Sequence, residues 1–179
     1  MDYIATKSGH RFVFGGSGTI DPDDICHALA MLCRYTGHTR TFYSVAEHSV
    51  RVRKLLHKRG LPRWVQLQGL LHDASEAYLG DVSTPLKYQL PRYQEMEREL
   101  MARIMERFGL PVEIHPAVKE ADHDMFGVEV RRLFSPIAQE LFTLPAPKED
   151  TDEIHASWDW FTAREALDYN IRRLYCPTL

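Results

Sequence analysis

A chain of 179 residues, 44% hydrophobic and 26% charged, has the size and composition of a single globular domain (1–179) with a sizeable core. Its net charge of −3 gives no general attraction to nucleic acid, and no apolar run approaches the ~20 residues of a membrane span. Three widely spaced cysteines (Cys26, Cys33, Cys176) and an N-terminus without a signal-like apolar stretch argue against a disulfide framework or a cysteine zinc site, and point to the reducing cytoplasm.

In chain order, Arg11–Phe14 followed by two glycines reads as a short strand or extended arm. Asp21-Pro22 starts a helix whose apolar positions, Ile25, Ala28, Leu32 and Tyr35, carry it to just before Gly37. Ser44 to Glu47 is a capping box that opens a helix to about Arg59, stopped by Gly60. Its apolar face is Val45, Val52, Leu55 and Leu56, and His48 lies on that face. Pro62 starts a helix ending at Gly80 that contains LLHDASEAYLGD, residues 70–81. A loop covers 81–87, and a charged, strongly periodic helix covers about 93–108. A long helix from about 114 has Val118, Ala121, Met125 and Val128 on its apolar side with Asp122 among them. His123 and Asp124 rotate toward solvent or a site rim. Residues 135–151 hold three prolines and read as a surface loop, and Asp152 caps a last helix to about Leu174. The sum is an all-α bundle of five to seven helices.

The chemistry concentrates at residues 70–81. On a helix, residues three and four apart share a face, which places Glu76 with His72 and Asp73. The interleaved Leu67, Leu70, Leu71, Ala74, Ala77 and Tyr78 bury that face. Buried charges are costly unless paired or bound to a cation. A plain amphipathic helix with one core histidine accounts for this stretch in isolation. It does not account for inward-facing His48 and Asp122 on two other helices. Two imidazoles and two carboxylates (His48, His72, Asp73, Asp122) suit a divalent ion: Zn, Co or Mn before Mg, because nitrogen ligands favour the former.

In order and context, these residues resemble the HD-domain metal-dependent phosphohydrolase superfamily, and within it the small deoxynucleotidase branch. The matching blocks are CRYTGHTRTFYSVAEHSV, LLHDASEAYLGDVSTPLKY and VKEADHDMFGVE, spread over residues 20–130. The resemblance implies that His48, His72, Asp73 and Asp122 hold the metal and that Glu76 is the acid/base residue. It implies that Asp81 supports the attacking water, a second ion near Glu76, or the sugar. Arg34 and Lys87 become phosphate contacts and Tyr35 a stacking surface, with Pro85 nearby, although Tyr35 stands where the branch carries Trp. His38 in the GHT segment either touches the phosphates or stabilises its loop. The implied substrate is a small-molecule deoxynucleotide, with no nucleic-acid or membrane partner, and the implied assembly is a homo-oligomer. Phage members of this size hydrolyse dATP to deoxyadenosine and triphosphate, whereas bacterial members release phosphate from deoxynucleoside monophosphates. We expect the former activity first. The rivals are a phosphodiesterase of the same fold and a non-catalytic, nucleotide-binding regulatory module.

Overall fold

The computed structural model describes residues 3–16, 18–146, 148, 150–151 and 154–175. It begins with a small antiparallel hairpin, β1 (Ile4–Ala5) and β2 (Arg11–Phe12), in the register Ile4 opposite Phe12. Six helices of nine residues or more follow among the described residues: α1 (Pro22–Met31), α2 (Val45–Lys58), α3 (Arg63–Leu71), α6 (Pro91–Arg107), α7 (Pro116–Leu133) and α9 (Trp160–Leu174). Single helical turns fill the gaps: α4 (Glu76–Leu79), α5 (Thr84–Lys87) and α8 (Pro136–Gln139). The protein is an all-α bundle, as its periodicities require. No helix of the described residues is long and apolar enough to cross a membrane.

α2 is the central helix, packed by α1, α3, α7 and α9. Ser44 Oγ accepts from the Glu47 N–H at 3.1 Å and fixes its start. Ten of its residues are buried, Glu47 and His48 included, because neighbours surround it. One core region joins Ile25 and Leu29 to Val50, Leu70, Leu71 and Leu167. A second, of Val52, Leu56, Val65, Val118 and Met125, binds α2 and α3 to α7. The approach of α2 to α3 depends on Gly69, where an added Cβ would stand 2.4 Å from Leu56 Cδ1.

Three helix boundaries and one side-chain orientation depart from the sequence reading, each for a local reason. α1 stops at Met31, since Cys33 forms an isolated antiparallel bridge with Ser44 and pulls residues 32–44 into a returning loop. Within that loop Tyr35 and Thr36 sit at φ 57° and 53°, a left-handed backbone that is uncommon outside glycine. The helix expected over 62–80 breaks after Leu71. From there the amides of Ala74, Glu76, Ala77 and Tyr78 bond the carbonyls three residues back, tightening the chain. The last helix is capped by Asp159, which accepts from the Thr162 N–H at 2.7 Å; Asp152 lies outside the described residues. Asp124, expected toward solvent or a site rim, is buried and paired with Arg59 Nη2 at 2.6 Å and Lys148 Nζ at 2.8 Å, because Pro145 and Lys148 come back against α7 and Asp150 against Arg59.

Candidate metal centre and its cleft

His48 on α2, His72 and Asp73 just past α3, and Asp122 on α7 meet at one point. His48 Nε2 is 3.2 Å from His72 Nε2 and 3.1 Å from Asp122 Oδ1. Asp73 Oδ2 lies 3.7 Å from His48 Nε2 and 3.3 Å from His72 Nε2. One donor atom from each of His48, His72 and Asp122 falls within 4.8 Å of the others.

The partners on the far side of each ring decide what this cluster can hold. His72 Nδ1 is 2.9 Å from the Gly69 carbonyl, which can only accept, so Nδ1 carries the proton. His48 Nδ1 is 2.6 Å from Oε1 of Glu129, a fully buried carboxylate on α7. Burial would push the Glu129 carboxyl up, but His48 and Arg34 outweigh it and hold it down at about 2. It is therefore an acceptor too. With both Nδ1 protons committed, each neutral imidazole directs its Nε2 lone pair into the centre, alongside two carboxylates. Lone-pair donors this close, without a donor hydrogen among them, need either shared protons or a cation; His48, His72 and Asp122 are positioned to hold one, and Asp73, its Oδ2 bonded to Arg34, stands beside them. Protons alone meet that need in part. Burial lowers the His72 imidazole, but Asp73 and Asp122 more than offset this and lift it to about 9. Burial likewise raises the Asp122 and Asp73 carboxyls, and the histidines reverse it, leaving both below their ordinary range.

A cleft of about 760 Å³ opens from the cluster. Glu76, at the start of α4, lines it and is buried. Its Oε2 has no partner among the described residues, and its Oε1 is 3.4 Å from Lys87 Nζ. Burial, then Asp73 and Asp81, push the Glu76 carboxyl up to about 9. Asp81 also lines the cleft, and its carboxyl is raised by burial and Asp73.

Arg34 reaches Asp73 Oδ2 with Nη1 at 3.1 Å and approaches Glu129 Oε2 with Nε at 3.4 Å. Tyr35 lines the cleft, but its hydroxyl donates to Glu129 and its ring meets Phe134 edge-on at 5.1 Å. Phe126, Phe134 and Phe142 extend that aromatic wall. Lys87 is bound to Glu97 Oε1 at 2.6 Å, so its charge is already paired. His38 and Pro85 stand exposed on the rim. All eleven residues singled out from sequence thus lie in the cluster or line the cleft.

Glu129 and the phenylalanine wall were missed. Glu129 follows Asp122 by seven residues, two helical turns on the same face, and that spacing was the available sign. A second group of converging donors, His10, Asp21 and Asp24, belongs to a different device. Asp21 caps α1, and Asp24 accepts from the Ser8 N–H at 2.7 Å, latching the N-terminal hairpin to the bundle.

The fold and site therefore define a helical protein with a half-buried His/Asp cluster able to hold a divalent ion at the head of a cleft. The chain is 39% identical over 135 residues to the uncharacterized protein YfdR of Escherichia coli K12, covering 74% of this chain and 73% of that protein, and belongs to the same family. It is also 40% identical over 107 residues to an uncharacterized protein of Rhodobacter capsulatus, covering 57% of this chain and 55% of the relative. No protein-family model matches the chain.

Proposed function

We propose that the protein is a divalent-metal-dependent phosphohydrolase of the HD type that acts on deoxyadenosine nucleotides, releasing triphosphate from dATP. One observation carries this reading. Four lone-pair donors converge beside a cleft-lining carboxyl, Glu76, that is buried, partly unpartnered and protonated at neutral pH.

His48, His72, Asp73 and Asp122 would hold the ion. When bound, it supplies Lewis acidity toward a phosphate oxygen and toward water. Glu76 would give its proton to the ester oxygen that departs, and the carboxylate left behind would take the proton released by the attacking water, ending protonated as it began. Arg34, held above Asp73 by one hydrogen bond, is placed to neutralise charge on the phosphate being transferred. The aromatic wall of Phe126, Phe134 and Phe142 offers apolar ring surface to a base beside Tyr35, whose hydroxyl is tied to Glu129. Glu76 and Asp81 are not part of a converging group of three donors among the described residues, so a second ion there would need ligands from the substrate phosphates.

A second reading, a 5′-deoxynucleotidase acting on monophosphates, is favoured by the charge count. The two permanent cations among the cleft-lining residues, Arg34 and Lys87, are both paired with carboxylates. A triphosphate would ask more of them than a monophosphate.

The test is a panel of dNTPs, dNMPs and the matching ribonucleotides with Mn²⁺ or Co²⁺, the released phosphate species resolved by chromatography. Triphosphate from dATP supports the first reading, and orthophosphate from several dNMPs supports the second. No turnover of any substrate, with metal bound, would overturn both and leave the phosphodiesterase and regulatory-module readings.

A further inference from the structure

Glu129 joins the two halves of the site. Its Oε1 receives His48 Nδ1 at 2.6 Å and the Tyr43 hydroxyl at 2.9 Å. Its Oε2 receives the Tyr35 hydroxyl at 2.5 Å and faces Arg34 Nε at 3.4 Å. Both Glu129 and Tyr43 are fully buried, so this carboxylate has no water to stabilise it and depends on those four groups. Only one of them, His48, belongs to the cluster; Arg34 and Tyr35 belong to the turn that lines the cleft.

We propose that Glu129 is the positioning residue of the metal centre: it fixes the His48 tautomer and ring direction and raises the basicity of His48 Nε2, while anchoring the Arg34–Tyr35 turn over the same ion. The inference rests on the metal-binding reading and is independent of which nucleotide is cut. An imidazole that donates to a carboxylate is a better electron donor at its other nitrogen than one that donates to a carbonyl. His72, which donates to the Gly69 carbonyl, is the weaker ligand of the pair by this argument. The left-handed Tyr35 and Thr36 backbone is held in part by the Tyr35–Glu129 bond, so the carboxylate that tunes the ligand also maintains the strained turn.

The experiment measures Co²⁺ affinity by chelator competition, together with the visible absorption of the bound Co²⁺. Glu129→Gln keeps an acceptor for His48 but removes the charge; Glu129→Leu removes both. The expected result is a graded loss, about tenfold for Gln and about a hundredfold for Leu, with a shifted Co²⁺ spectrum. Tyr43→Phe removes one of the four groups on the carboxylate but leaves its charge, the His48 bond and Arg34 in place, so it should lose less than Glu129→Gln and stay within about threefold of wild type. Circular dichroism confirms folding, and if the Leu variant does not fold, the Gln variant against Tyr43→Phe decides. Wild-type affinity and spectrum in Glu129→Gln, or an equal loss in Tyr43→Phe, would overturn the proposal while leaving the metal centre standing. A wild-type protein that takes up no Co²⁺ would overturn both.

Discussion

A divalent ion held as proposed would compete with protons for the lone pairs of His48, His72, Asp73 and Asp122, so its affinity should depend on pH. The His72 pKa is lifted to about 9 from an ordinary 6.5, because Asp73 and Asp122 outweigh burial. A raised histidine stabilises the metal-free fold below 6.5 and loses that contribution as pH rises through about 9. Metal uptake runs the other way, gaining up to about tenfold per pH unit for each proton displaced. Zinc competition at pH 6.5, 7.5 and 8.5 should show affinity climbing throughout, and a flat profile would show that the imidazoles are not ligands. Loss of function should also divide by residue. Asp122→Asn should lose bound metal and turnover together, whereas Glu76→Gln should keep the metal and lose about 10²–10⁴-fold in rate. Equal metal loss in both would remove Glu76 from its proton-transfer role. The cluster residues were legible in the sequence because each is a polar group in an otherwise apolar, helically periodic stretch. Glu129 was not, because its meaning depends on Tyr35, Tyr43 and His48, which lie 81 to 94 residues away.

The elements carry the site through one close approach and one break. Gly69 lets α3 lie against Leu56 and Val52 of α2, and its carbonyl orients His72. A Cβ there would overlap Leu56 Cδ1, so the buried Leu56 side chain must shift at the contact between the two histidine-bearing segments. Gly69→Ala should therefore cost about 1–3 kcal/mol of stability, the usual range for overpacking, and weaken metal binding as well. Urea denaturation with a parallel Co²⁺ titration checks both, and lost stability with unchanged affinity would uncouple the α2–α3 contact from the cluster. The Ser44–Glu47 capping box placed α2, and apolar periodicity placed α6 and α7, within a few residues of their observed bounds, since those signals act locally. The break after Leu71 and the end of α1 at Met31 were not legible, because a bridge to Ser44 and a tightened turn override helical periodicity that continues on paper.

For the molecule as a whole, the cluster is a cross-link. Its donor residues come from α2, from the segment following α3, and from α7, and the Val52–Val118–Met125 core lies between the same helices. An ion that binds the folded chain and not the unfolded one stabilises it by about 2.7 kcal/mol at a hundred times its dissociation constant. For a chain of this length, that is a rise of about 5–11 °C in melting temperature. Asp122→Asn should lose the rise, since it removes the α7 ligand. The N-terminal hairpin is held elsewhere, by the Ser8–Asp24 bond and by Phe12 stacked on Tyr78 at 4.2 Å. Hydrogen exchange with and without Zn²⁺ should therefore slow in α2 and α7 and stay unchanged in residues 4–12. Protection spread evenly over the chain would mean that the ion acts on global stability alone, and protection confined to the hairpin would place it at His10 and Asp24 instead of the centre that α2 and α7 build.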